Sequence, residues 1–309
     1  MHLRQDRVFD SPDMKLLVIA NPNAGRNKSP HFFDNIIEIF HQSGQSVTME
    51  MTKSRNHASE IAESLSPCVD MIICYGGDGT LNEVINGIMR SRARPLLAYI
   101  PAGTTNDFAQ SMQISKNPIK AARAIGKGRP RFVDLGFFAD RRYFAYVASF
   151  GAFTSVSYST PQKSKNRIGH LAYVFEGIRS FSNPEEFKPK HMKIIANGTE
   201  YEDEFIFGAV TNSTSIGGLV KLDRKTVNMN DGLFEVMLIR NPQNFSSLCN
   251  IAHDVLHCKY NGKDVIFFQT NNITFTGGEN VPWSLDGEYH SGLPEVKIGV
   301  VHNAIKIVV

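Results

Sequence analysis

An α/β domain built on a doubly wound parallel sheet, followed by an all-β domain of sandwich type, is the fold the sequence predicts. Three observations predict it. Strand-length apolar runs and amphipathic helix-length runs alternate from Lys15 to Ile125, the order that gives parallel strands with helices on both faces. A basic, breaker-rich stretch, Gly126-Lys127-Gly128-Arg129-Pro130, ends that pattern. Beyond it the apolar runs are short, as in sandwiches.

Each element follows from local pattern. Lys15–Ala20 is an apolar run of strand length. Ser29 then reads as an N-cap with Pro30 at the first helical position, Phe33, Ile36, Ile37 and Phe40 share one helical face, and Gly44 ends the helix. Val47, Met49 and Met51 alternate as a strand, and a helix from Ser54 turns Ala58, Ile61, Ala62 and Leu65 inward. The continuous apolar run Val69–Tyr75 reads as a buried strand, and Leu81, Val84, Ile85, Ile88 and Met89 stripe the helix after it. Leu96–Ile100 is the next strand. In the second half, strands are expected at Phe132–Phe138, Phe144–Phe150, Met192–Ala196, Phe205–Val210, Leu233–Ile239, Val265–Gln269 and Ile273–Thr276, with helices at Leu171–Phe181 and Phe245–Leu256. Asn197-Gly198 reads as a hairpin turn. The chain thus divides into a polar extension over 1–13, an α/β domain over 14–129 and a β domain over 130–309, whose final segment packs back on the first domain.

Composition narrows the function. The 309 residues are 42% hydrophobic and 20% charged, enough for packed cores, and the net charge of +3 is too small to argue for nucleic acid. No apolar run approaches the ~20 residues that span a bilayer, and the N-terminus lacks the apolar core of a signal peptide. The four cysteines show no C-x-x-C spacing, which favours reduced, cytosolic thiols. The expectation is a cytoplasmic protein, peripheral at the inner face of the membrane.

Two glycine turns carry the chemistry. Gly76-Gly77-Asp78-Gly79-Thr80 and Gly103-Thr104-Thr105-Asn106-Asp107 each lead from a strand-like run into a helix-like one. Such turns expose backbone N–H groups and the positive end of a helix dipole, which is a phosphate cradle. Two of them, each with an aspartate, point to a nucleoside triphosphate with a cation between carboxylates and phosphates. Taken singly, Asp78 and Asp107 also suit helix caps, and Asp286-Gly287 and Asp231-Gly232 suit hairpin turns.

These turns, the opening Asn21-Pro22-Asn23-Ala24-Gly25 and the late Leu285-Asp286-Gly287-Glu288 stand in one order. That order resembles the catalytic domain of the diacylglycerol kinase and sphingosine kinase superfamily, in particular its soluble bacterial lipid kinases. The resemblance implies an NAD-kinase-like first domain, ATP and Mg²⁺ as cofactors, and a lipid hydroxyl as phosphate acceptor presented at a membrane surface. It implies that Asp78, Asp107 and Asp134 organise magnesium beside the triphosphate. Nucleotide contacts would come from Asn21, Thr52, Gly76, Gly77, Asp78, Gly79, Thr80, Leu81, Asn82 and Thr104, with Arg26 or Lys28 reaching phosphate. Asp286 would be the general base, supported by Glu288, which also belongs to the nucleotide set. A structural magnesium would sit on the Asp231 carboxylate and the carbonyls of Asn228 and Leu233. Here the sequence departs from the family pattern: the proline expected after Lys221-Leu222 is missing, and the loop Asp223–Asn230 is a residue longer. Lys163, Lys165, Arg167 and His170 form a basic run that reads as a solvated loop or as a contact for phosphates or an anionic membrane.

Two other functions share these features. An NAD kinase carries the Gly-Gly-Asp-Gly turn, but no Gly-x-Leu-Gly-Phe-like sequence follows it here. A non-catalytic nucleotide or lipid sensor on the same scaffold is compatible with the altered metal loop. The edge of a β domain also offers a route to a homodimer.

Overall fold

The computed structural model describes residues 8–10, 13–25, 30–151, 188–216, 220–223, 225–260, 262–278 and 281–309. Two compact units result: Met1–Leu135 with Val301–Val309, and Gly136–Val300. The expected helix Leu171–Phe181, the basic run from Lys163 to His170, Arg26, Lys28 and the Ser29 cap lie outside the described residues.

The first unit holds β1 (Lys15–Ala20), β2 (Ser46–Met51), β3 (Met71–Gly76) and β4 (Leu96–Pro101), with α1 (Pro30–His41), α2 (His57–Leu65), α3 (Asp78–Arg90), α4 (Asp107–Ser111) and α5 (Pro118–Ile125). The strands lie in the order β2-β1-β3-β4, all parallel. The return segment of the chain adds a fifth parallel strand, with Ile307 opposite Leu97. All six residues of β3 are buried, as a sheet covered on both faces requires. Leu16, Val18, Ile36, Phe40, Ile73 and Ile100 belong to one core. Val8–Asp10, before the first strand, form a single 3-10 turn whose Val8 N–H bonds to the Gly128 carbonyl at 3.2 Å.

One helix starts later than its pattern suggests. The run from Ser54 becomes helical only at His57, after Asn56 at φ 66°. Its first N–H groups are satisfied from another helix: Glu83 on α3 accepts from Asn56 N at 2.9 Å and Ala58 N at 3.2 Å. A cap supplied from a distant element leaves no local trace in the sequence.

Beyond β5 (Pro130–Phe138) the second unit is antiparallel. Its strands are β6 (Arg142–Phe144), β7 (Val147–Gly151), β8 (Lys190–Ala196), β9 (Thr199–Thr211), β10 (Ser215–Ile216), β11 (Val220–Lys221), β12 (Phe234–Arg240), β13 (Val265–Thr270), β14 (Asn272–Thr276), β15 (Trp283–Leu285), β16 (Glu288–His290) and β17 (Glu295–Val308). The single described helix here, α6, spans Phe245–Leu256. β9 organises the sandwich. Its first half pairs with β8, and its second half lies between β7 and β12. Trp283, Phe150 and Phe275 meet edge to face at 5.0–5.8 Å in the core, together with Phe144, Phe205 and Phe234. Asn197 (φ 51°) and Gly198 (φ 75°) make the two-residue turn between β8 and β9, the left-handed pair a primed hairpin needs.

Candidate active site

The two glycine turns are locked together at the carboxyl ends of β3 and β4. Gly77 is the extended N-cap of α3, and Asp78 is the first helical residue rather than the cap. Asp107 likewise opens α4, behind Asn106 at φ 52°. The Asp107 N–H donates to Asp78 Oδ2 at 3.2 Å, so the first residues of the two helices are bonded to each other. Behind them Ala102 N donates to Gly76 O at 2.7 Å. The contact leaves no space for a side chain: a Cβ on Gly103 would lie 2.7 Å from Gly77 Cα.

Polar side chains brace this arrangement from within. Asn106 closes its own turn, accepting from Gly103 N at 2.9 Å and donating to Gly103 O at 2.7 Å. The Tyr99 hydroxyl reaches both Gly76 O and Asn106 Oδ1 at 3.2 Å. Burial, with the Asp78 charge adding to it, holds that phenol well above the ordinary tyrosine range. Burial also pushes the Cys74 thiol up, helped by the carboxylates of Glu83 and Asp78. Both groups therefore stay neutral beside a negatively charged strand end.

Asn21 connects the first loop to this centre, donating through Nδ2 to Thr80 Oγ1 at 3.2 Å. Its own Oδ1 accepts from Asn23 N at 2.9 Å, which shapes the loop. A cavity of about 230 Å³ is lined by Asn21, Thr52, Arg55, Thr80 and Glu83. A second, of about 680 Å³, is lined by Gly25, Tyr75, Gly103, Thr104 and Lys116. Asn23 borders both. Leu81 and Asn82 are 1% and 0% exposed, and the Asn82 carbonyl and side chain receive bonds from Asn86 Nδ2. Gly79 completes the first turn of α3.

Asp134, also in the first unit, is held by a different pair of residues. It is fully buried on β5, and its Oδ1 accepts from His302 Nδ1 at 2.9 Å and Asn303 N at 2.7 Å.

The remaining expected site residues belong to the second unit. Asp286 and Gly287, at φ 49° and 85°, form the two-residue turn joining β15 to β16, with Leu285 opposite Glu288. The hairpin reading of Asp-Gly is therefore correct for the backbone. The side chain adds something a turn does not require. It is 2% exposed and accepts from Ala145 N at 2.6 Å, Tyr146 N at 2.9 Å and Val147 N at 3.0 Å.

In the loop before β12, Asp231 Oδ1 accepts from Leu233 N at 3.0 Å, and Asn228 Oδ1 from Asn230 N at 3.2 Å. A single carboxylate with carbonyl oxygens is a hard donor set that suits Mg²⁺. No group of three or more His, Cys, Asp or Glu among the described residues is arranged to hold a metal, so a cation here would depend on those carbonyls. Glu235, two residues after Leu233, is 1% exposed. Its Oε1 accepts from Gln269 at 3.0 Å, and its Oε2 is buried without a partner among the described residues.

Glu83, Tyr99, His302 and Glu235 were not legible as site residues. Only Glu83 left a signal, as a polar residue (with Asn82 and Asn86) in the middle of the apolar-striped helix α3.

Comparison with known proteins agrees with this architecture. Residues 15–138 match the family described as diacylglycerol kinase catalytic domain. Residues 147–309 match the YegS C-terminal NAD kinase beta sandwich-like domain. A diacylglycerol kinase of Bacillus subtilis (strain 168) is 32% identical over 280 residues, covering 90% of each chain. One of Staphylococcus saprophyticus is 32% identical over 289 residues, again covering 90% of each. The crystal structure of a diacylglycerol kinase from Bacillus anthracis superimposes with a TM-score of 0.73 over 96% of both chains. At 22% identity it speaks for the fold alone.

Proposed function

This chain belongs to the diacylglycerol kinase family, and on that premise we propose that it is an ATP-dependent lipid kinase. It would move the γ-phosphate of ATP to the hydroxyl of diacylglycerol or another hydroxylated lipid. The observation that carries the reading is the pair of abutting glycine turns, bonded through Asp78 and the Asp107 N–H at the start of a 13-residue helix.

Phosphoryl transfer asks a protein for position and charge more than for covalent chemistry. In this reading phosphate oxygens are received at the Gly77 turn by the first N–H groups and the dipole of α3, while the second turn, whose Gly103 and Asp107 N–H groups are held by Asn106 and Asp78, braces it. Thr80, held by Asn21, and Thr104 border the same turns, and Thr52 lines the smaller cavity, the proposed place for part of the nucleotide. Magnesium, when bound, would neutralise phosphate charge, and since no three His, Cys, Asp or Glu among the described residues are arranged to hold a metal directly, Asp78, Asp107 and Asp134 would act on it through its waters. Asp231, with the Asn228 and Leu233 carbonyls, would hold a structural ion.

Asp286 is the proposed base. Three N–H donors fix its carboxylate in place, and an ionised carboxylate can only accept. A lipid hydroxyl donating to it is thereby oriented, and its proton has a place to go. Glu288, opposite Leu285 in the same hairpin, supports that turn.

Incubation with labelled ATP, Mg²⁺ and a total lipid extract tests the proposal. A labelled lipid is expected, and Asp78→Asn should reduce it by at least about 100-fold with the fold retained. ATP binding without any labelled lipid would instead favour a sensor.

A further inference from the structure

We propose that His253 and His257 form a binding site for a late first-row divalent cation, with Zn²⁺, Ni²⁺ or Cu²⁺ as the chemical class. The pair lies on the last turn of α6 and its C-cap, within His253-Asp254-Val255-Leu256-His257. Residues four apart share a helix face, and here the two imidazoles lie side by side, 4.3 Å between ring centroids and 30° from parallel.

Hydrogen bonding fixes which nitrogen each ring offers. His257 Nδ1 lies 2.8 Å from the His253 carbonyl, and His253 Nδ1 lies 3.3 Å from Asp254 Oδ1. A carbonyl and a carboxylate can only accept, so Nδ1 must carry the hydrogen in both rings. In the neutral form each ring then keeps its lone pair on Nε2. Neither Nε2 has a partner among the described residues, and both side chains are solvent-accessible.

An imidazole whose Nδ1–H is given to a carboxylate or backbone carbonyl is the usual state of a histidine metal ligand. Two such ligands at i and i+4 on one helix face are the arrangement that zinc helices use. Imidazole nitrogen favours the late transition metals over Mg²⁺ or Ca²⁺. No third His, Cys, Asp or Glu is placed to complete a cluster among the described residues, so water fills the remaining positions and exchange is fast. Asp254, the bond partner of His253, acts as a positioning residue.

The test is calorimetric titration of the full, chelator-treated chain with Zn²⁺, in wild type, His253→Ala, His257→Ala and a His191→Ala control. His191 is another exposed histidine, paired with Glu202 at 3.3 Å. The expected result is one zinc equivalent in wild type and control, weakened on the order of tenfold or more in either α6 variant, since loss of an outer-shell partner alone has that size of effect. Zinc should also raise Tm in wild type and not in the two variants. If either alanine variant is unfolded without metal, His253→Gln and His257→Gln carry the same comparison. Retention of the zinc equivalent in either α6 variant, or no zinc binding by wild type, would overturn the proposal.

Discussion

The Asp286 carboxylate gathers three backbone N–H groups from Ala145 to Val147 while its own backbone turns left-handed at φ 49°. Position and burial are set by one residue, so under the proposed role as base a change there acts on chemistry and on local structure together. Glu235 gives a cleaner residue-scale prediction. Burial first, with the Asp231 charge adding and the Gln269 hydrogen bond opposing, raises its carboxyl from the ordinary 4.5 to about 7. The folded chain therefore binds this proton more tightly than the unfolded chain does. Stability should fall as pH rises from about 4.5 to about 7, and the full cost, about 3 kcal/mol at most, should stand above that range. Glu235→Gln removes the charge and keeps the shape. Urea unfolding in a chelating buffer should find the variant more stable than wild type at pH 8 and equal to it at pH 4. An equal pH slope in both proteins would mean that Glu235 is ionised at no cost.

At the scale of elements, close approach is the recurring device. α2 and α3 touch at Gly87, where an added Cβ would lie 2.3 Å from Ser59 O and 2.7 Å from Ala62 Cβ. Gly87→Ala should therefore lower stability by about 1–3 kcal/mol, read as a reduced Tm. Gly103→Ala acts on the same principle at the site, pushing the Gly77 turn away. Here we expect a loss of transfer rate of about tenfold or more, with far-ultraviolet circular dichroism unchanged. Both glycines sit in patterns that a sequence displays without explaining. The strand and helix runs of the first unit were legible because burial on a parallel sheet leaves period and composition as its mark. Exact starts were not. The onset of α2 depends on Glu83, 26 residues after His57, and no local rule connects them. The β15–β16 hairpin escaped because three-residue strands are too short to show alternation, although Asp286-Gly287 marked its turn.

The whole molecule follows the class its sequence predicts, an α/β unit on parallel strands and an antiparallel β unit. What the class does not specify is function, which rests on a few side chains. Of the side chains proposed for it, Asp78 and Asp107 stand out by glycine spacing, although each also suits a helix cap. The roles proposed for Asp286 and Asp231 come from resemblance, since each stands in a dipeptide that any hairpin uses. His302 was invisible, because its contact with Asp134 spans 168 positions. The most direct test of the central claim is the initial rate of labelled γ-phosphate transfer from Mg²⁺–ATP to diacylglycerol in mixed micelles, compared between wild type and Asp286→Ala. A labelled phospholipid that falls by at least about 100-fold in the variant, with ATP binding intact, is the predicted result. Equal rates in the two proteins would contradict the assignment of Asp286 as the base, and no transfer by wild type to this or any lipid in the extract would contradict the kinase itself.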